Sequence, residues 1–151
     1  MRKAMLLLAV FGLVGSLWAA DPFVGIWKLN VAKSKYNPPS SAFKSMIVKI
    51  EAQDNGLKFT FDSVDAEGKV SHGEYAAKFD GKDYPVKGDP TTDMVSLKRI
   101  GDSGFEIVSK KGGKETGRTR VVFAKDGKSS TVTTKDAKGQ ESTSVSIFEK
   151  Q

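Results

Sequence analysis

From Phe23 onward, apolar and polar side chains alternate in short runs separated by glycine-containing turns. Met46, Val48 and Ile50 alternate with Ile47, Lys49 and Glu51. Leu57, Phe59 and Phe61 alternate with Lys58, Thr60 and Asp62, and Tyr75, Ala77 and Phe79 with Glu74, Ala76 and Lys78. The same spacing returns at Val95 and Leu97, Phe105 and Ile107, Val121 and Phe123, Val132, and Val145 and Ile147. A period of two marks half-buried strands, because successive side chains of a strand point to opposite faces. Asp54-Asn55-Gly56, Ala66-Glu67-Gly68, Asp80-Gly81-Lys82, Gly112-Gly113 and Asp126-Gly127-Lys128 supply residues that tolerate positive φ, as hairpin turns require. No segment after residue 20 carries a helical apolar period. The pattern predicts an all-β fold, an antiparallel up-and-down barrel of about 8–10 strands.

Two stretches interrupt this texture. Lys33 to Lys44 contains Asn37-Pro38-Pro39-Ser40-Ser41 and reads as the longest connection, either an inert crossover or a lid over one barrel end. Gly88-Asp89-Pro90-Thr91-Thr92-Asp93 reads as a polar loop between strands.

The first twenty residues differ in kind. Arg2 and Lys3 precede a mostly apolar run from Met5 to Leu17, and Ala19 and Ala20 follow as small residues before Asp21-Pro22. This is the layout of a cleaved export signal, with an apolar run too short to span a bilayer comfortably. Trp18 or Leu17 falls three residues before the cut, where small residues are usual, so an uncleaved anchor is the competing reading. The division expected is a signal peptide at 1–20 and a single domain at 21–151, periplasmic or secreted, with no stable membrane insertion once the signal is removed. The chain has no cysteine, which excludes thiol chemistry, thiolate metal sites and disulfides. Removing Arg2 and Lys3 leaves 24 − 2 = 22 basic against 18 acidic residues, an excess of +4. The charges alternate in sign, as in Lys78-Phe79-Asp80-Gly81-Lys82-Asp83, which predicts a solvated surface and no nucleic-acid partner.

The run Phe23-Val24-Gly25-Ile26-Trp27-Lys28-Leu29 resembles the opening strand of the calycins, the lipocalins and intracellular fatty-acid-binding proteins, with their G-x-W signature. Thr143-Ser144-Val145-Ser146-Ile147-Phe148-Glu149-Lys150 resembles the closing strand of fatty-acid-binding proteins, which pairs back with the first. The middle of the chain, around Phe79-Asp80-Gly81-Lys82-Asp83-Tyr84-Pro85-Val86 and Val95 to Ile100, resembles a group of small exported bacterial lipocalin-like proteins. The resemblance implies a barrel in which Gly25 bends the first strand and Trp27 plugs one end. It also implies a ligand in the interior. The arginine and tyrosine with which fatty-acid-binding proteins hold a carboxylate fall on Ser146 and Phe148 here. The second lipocalin signature, T-D-Y, survives only as Thr92-Asp93-Met94, and Lys33 to Lys44 leaves no room for a helical cap.

No catalytic residue, metal ligand or cofactor motif stands out. His72 is the lone histidine and shares its strand face with Glu74, which points it outward. Asp62, Asp65 and Glu67 cluster near a turn without the spacing of a calcium loop. Arg99 shares parity with Val95 and Leu97, so it is expected to face inward, either stacked structurally or meeting an acidic head group. Arg120, with Arg118, is ambiguous because Val121, Val122 and Phe123 are all apolar. It is assigned with Gly25 and Trp27 to the barrel anchor. Phe59, Phe61, Tyr75, Phe79, Arg99, Phe105 and Phe123 are the ligand-binding candidates. The leading expectation is a non-enzymatic binding protein for a small, largely apolar ligand. The alternative is a filled barrel acting as a structural or interaction module. An apolar cavity above roughly 300 Å³ would favour the first.

Overall fold

In the computed structural model, which describes residues 21–137 and 144–151, the alternating runs become ten antiparallel strands. They are β1 (Gly25–Lys35), β2 (Phe43–Gln53), β3 (Gly56–Asp65), β4 (Val70–Lys78), β5 (Tyr84–Lys87), β6 (Met94–Ile100), β7 (Gly104–Lys111), β8 (Lys114–Phe123), β9 (Ser129–Asp136) and β10 (Ser144–Lys150). Each strand pairs with its neighbours in sequence, and β10 returns to β1, closing the barrel. The closing register sets Trp27 against Lys150 and Leu29 against Phe148, while the other edge of β1 sets Trp27 against Val48. Closure leaves no edge strand to template association with another chain. The export signal expected at 1–20 lies outside the described residues.

The period of two sorts the side chains as predicted except on β10, where Phe148 is buried opposite Leu29 and Val145 and Ile147, read as the apolar face, take the other face beside Thr133 and Asn30. Ile50, Leu57, Phe59, Ala77, Val95, Leu97, Phe105, Val121, Phe123 and Phe148 are buried, and their strand neighbours face out. The connection expected over Lys33 to Lys44 is shorter than its composition suggested. β1 continues to Lys35 and β2 begins at Phe43, leaving a single 3-10 turn at Pro39–Ser41. Asn30 Nδ2 and Lys33 Nζ both donate to Glu149 Oε1, at 2.9 and 3.0 Å, and tie the far half of β1 to β10. Those bonds hold the Glu149 carboxyl below its ordinary value, the Asn30 hydrogen bond first.

One end of the barrel is shut from within. The chain enters through a turn in which Val24 N–H donates to Asp21 O and Phe23 N–H to Asp21 Oδ1. Strand β1 starts only at Gly25, whose φ of +149° disfavours any residue with a Cβ. The bend drops Phe23 under the barrel, where it is 0% exposed and lies 4.7 Å from Phe123 and 5.1 Å from Phe105, ring to ring. Trp27, 2% exposed, packs edge-on against Phe123 at 4.9 Å and donates its indole N–H to Phe23 O at 3.0 Å. The F-x-G-x-W run is therefore a hinge between two aromatic plugs.

Truncating the larger plug removes a fully buried aromatic and orphans a buried carbonyl. Trp27→Ala is expected to destabilise the protein by about 3–5 kcal/mol. Equilibrium denaturant unfolding measures this, and a loss under about 1 kcal/mol would show that the closed end does not rest on Trp27.

Candidate functional site

Above the aromatic plugs the barrel is hollow. A cavity of about 250 Å³ has Trp27 and Phe123 among its lining residues and opens toward the end that carries the β1–β2 and β5–β6 connections. Its walls are inward positions from nearly every strand: Met46 and Val48 of β2, Phe59 and Phe61 of β3, Tyr75 of β4, Val86 of β5, Ile107 of β7, Val132 of β9 and Phe148 of β10. Of the seven ligand-binding candidates, Phe59, Phe61, Tyr75, Phe105 and Phe123 line this cavity. Trp27, expected only as an anchor, lines it as well.

Phe79 and Arg99 do not reach it. Arg99 keeps the parity of Val95 and Leu97, but it stands one residue from the end of β6, beyond the plugs. Its guanidinium covers the outer faces of Phe79, at 4.3 Å, and Phe23, at 5.2 Å, and donates to Asp21 Oδ2 at 3.1 Å. At 46% exposed it is a lid on the closed end rather than an interior cation. Parity along a strand fixes which face a side chain takes, but not how far along the barrel axis it sits, and Arg99 turned on the second question.

Arg120 departs further. With Val121 and Phe123 buried, the positions of opposite parity, Val122 and Arg120, face out, and Arg120 is exposed beside Glu106 and Thr133. It anchors nothing at Trp27. Lys150 takes that place, with Nζ 5.6 Å from the indole ring. Arg118 also faces outward, pairing with Glu115 at 2.6 Å and Glu106 at 3.2 Å. His72 is outward too, its Nδ1 2.6 Å from Asp62 Oδ1 on the neighbouring strand.

Among the described residues, no lysine, arginine or histidine lines the cavity. Its polar groups are the hydroxyls of Tyr75, Ser109, Thr119 and Ser130, with Thr92 and the Asp89 carboxylate at the β5–β6 loop. Tyr75 stacks on Phe59 at 4.6 Å and 22°. Its hydroxyl has no hydrogen-bond partner among the described residues, and burial pushes the phenol well above its ordinary value of 10.0. It therefore stays a neutral donor at any physiological pH. Phe61 keeps its place in the wall because Gly73 lies opposite: a Cβ there would come within 2.2 Å of the Phe61 ring. The inward serines and threonines were the part of the site that sequence reading missed. The available signal was a spacing of two from apolar inward positions: Ser109 from Ile107, Thr119 from Val121 and Ser130 from Val132.

No family model matches this sequence, and comparisons with curated proteins and with solved structures return no match either. The closed antiparallel barrel is compatible with a calycin-like architecture.

The Tyr75 phenol gives a pH signature. Its folded pKa lies above the unfolded value, so its contribution is complete below pH 10.0 and declines above it, where the unfolded chain ionises first. Alkaline titration followed by near-ultraviolet absorbance is expected to show one phenol ionising only on unfolding, absent in Tyr75→Phe. A phenol at this site that titrates with the others in the folded protein would mean that water reaches it freely.

Proposed function

We propose that this protein is a calycin-like carrier that takes a small, largely apolar molecule into its barrel and acts after export, in the periplasm or outside the cell. The observation that carries the reading is the apolar cavity of about 250 Å³ above a fully packed end. That volume is just under the roughly 300 Å³ at which drug-sized pockets begin. It exceeds the roughly 150 Å³ of an apolar cavity that takes up benzene. Scaling between them gives room for about ten non-hydrogen atoms, which sets the ligand class at short chains and single rings. The shortfall against a drug-sized pocket is what keeps the filled-barrel interaction module as the competing reading.

The test is titration with a neutral naphthylamine fluorophore, read by emission and by melting temperature. Saturable uptake by the wild type, lost in a folded Val132→Trp variant that fills the wall, supports the carrier. A folded wild type that takes up no probe leaves the interaction module instead.

The walls also dictate a preference. Burying a carboxylate without a cation or a dense set of donors is costly, and Ser146 and Phe148 offer no cation where fatty-acid-binding proteins have one. Displacement by 1-octanol is therefore expected to be at least as strong as by octanoate at neutral pH, in the wild type and in Arg99→Leu alike. A clear preference for octanoate would show that a cation reaches the interior after all.

Export rests on residues 1–20. Intact mass of the protein recovered outside the cytoplasm is expected to place the mature start at Ala20 or Asp21, and full-length chain in the membrane fraction would contradict it.

A further inference from the structure

A second recess adjoins the apolar cavity. Ser109 of β7 and Thr119 of β8 border the cavity on one side and this recess, of about 310 Å³, on the other. That recess lies at the open end, between the β1–β2 turn and the ends of β8, β9 and β10. Six of its lining residues carry hydroxyls, Ser41, Thr116, Thr134 and Ser144 with Ser109 and Thr119, beside Asn37, Lys135 and Asp136. Several are already paired, Thr119 with Thr134 at 3.2 Å and Ser41 with Ser144 at 3.3 Å, and Ser144 Oγ accepts from Asn37 N–H. Each hydroxyl offers one donor and two acceptor sites, so one contact leaves capacity for another. Ser109 has no partner among the described residues.

The charges that line the two spaces, Asp89, Lys135 and Asp136, do not favour an anion. The one cation among the described residues lining the recess, Lys135, holds an outward register position next to Asp136. Across the mouth, Asp89 lines the apolar cavity, and Asp93 holds one buried carboxylate oxygen without a partner. Arg99 and Lys150, the cations that engage aromatic rings, sit at the opposite, closed end.

On the strength of these two adjoining spaces, which share Ser109 and Thr119, we propose that the ligand is a neutral amphiphile. Its short apolar tail occupies the cavity, and a hydroxylated, uncharged head such as a sugar or polyol occupies the recess. The inference rests on the carrier reading and adds to it the head group and the orientation. A ring of neutral hydroxyls can satisfy a polyol from several sides at once. A head with no hydrogen-bonding groups would leave those hydroxyls to water, and a carboxylate would meet no cation.

The experiment holds the tail at eight carbons and varies the head. Octyl glucoside below its micelle concentration, methyl octanoate and octanoate each compete with the naphthylamine probe for the wild type and for Thr134→Val/Ser144→Ala. Both substituted residues border the recess and not the apolar cavity. The expected result is that octyl glucoside binds about three- to tenfold tighter than methyl octanoate, the scale of one net hydrogen bond. In the double variant that advantage is expected to vanish while methyl octanoate and the probe bind as before. Equal affinity for the three heads, tightest binding by octanoate, or a glucoside advantage that survives the double variant would each overturn the head-group assignment. Probe uptake separates this from the broader reading. If the probe binds and the heads do not differ, only this inference fails. If the folded wild type takes up no probe, the carrier itself fails and this falls with it.

Discussion

The molecule depends on β1 pairing along both edges. A closed antiparallel barrel needs one strand to pair with both its sequence neighbour and the far end of the chain, and β1 does so through Trp27 and Leu29. The same strand carries the residues that shut one end. Gly25 sets the bend, Phe23 folds under it, and Trp27 donates back to the Phe23 carbonyl. Closure and plugging are therefore encoded in the seven residues from Phe23 to Leu29. A barrel built this way is anchored at one end only, which leaves its other end free to be hollow without opening the sheet.

Hollowness has a physical cost that argues against accident. At about 24 cal/mol per Å³, a dry cavity of about 250 Å³ forgoes on the order of 6 kcal/mol. That is comparable with the whole stability of a small domain, about 5–15 kcal/mol. Larger side chains at Val48, Val86 or Val132 would recover much of it. Instead the interior aromatics crowd toward the closed end, where Phe23, Phe105 and Phe123 contact one another, while the wall above them is built of smaller side chains beside Phe61 and Tyr75. The Gly73 position repeats the choice, since its missing side chain is what lets Phe61 lie in the wall.

Much of this was legible in the sequence. A period of two is a direct imprint of the pleat, so strand faces followed wherever the alternation was clean, as in Leu57, Phe59 and Phe61 or in Tyr75 and Ala77. Where it was not clean, the reading failed in a predictable way. Val121, Val122 and Phe123 are apolar in succession, so nothing in the sequence told Arg120 which side to take, and it lies outside. Arg99 had the right face, yet its distance along the axis depends on strand stagger, which pairing register sets and alternation does not. Strand ends were hidden for a related reason: Lys33 to Lys35 and Phe43 to Lys44 look like loop beside two prolines but extend the ladder. The hydroxyl ring was invisible because an inward serine or threonine near a strand end is ordinary composition until neighbouring strands bring several together.

The two ends of the barrel divide the chemistry between them. At the closed end, cations lie over aromatic faces and need no ligand: Arg99 is satisfied by Phe79, Phe23 and Asp21, and Lys150 by Trp27. At the open end the interior offers hydroxyls and a rim carboxylate, and among the described residues no cation lines the cavity. Burial keeps the phenol among those hydroxyls, Tyr75, protonated and therefore a donor. An interior arranged this way discriminates by solvation. A neutral molecule gives up few strong interactions with water on entering, while an ionised one gives up many and finds none equivalent. Specificity of this kind does not require a close-fitting charged contact, only that no cation line the cavity, and the placement of Arg99 beyond Phe23 keeps that cation out of it.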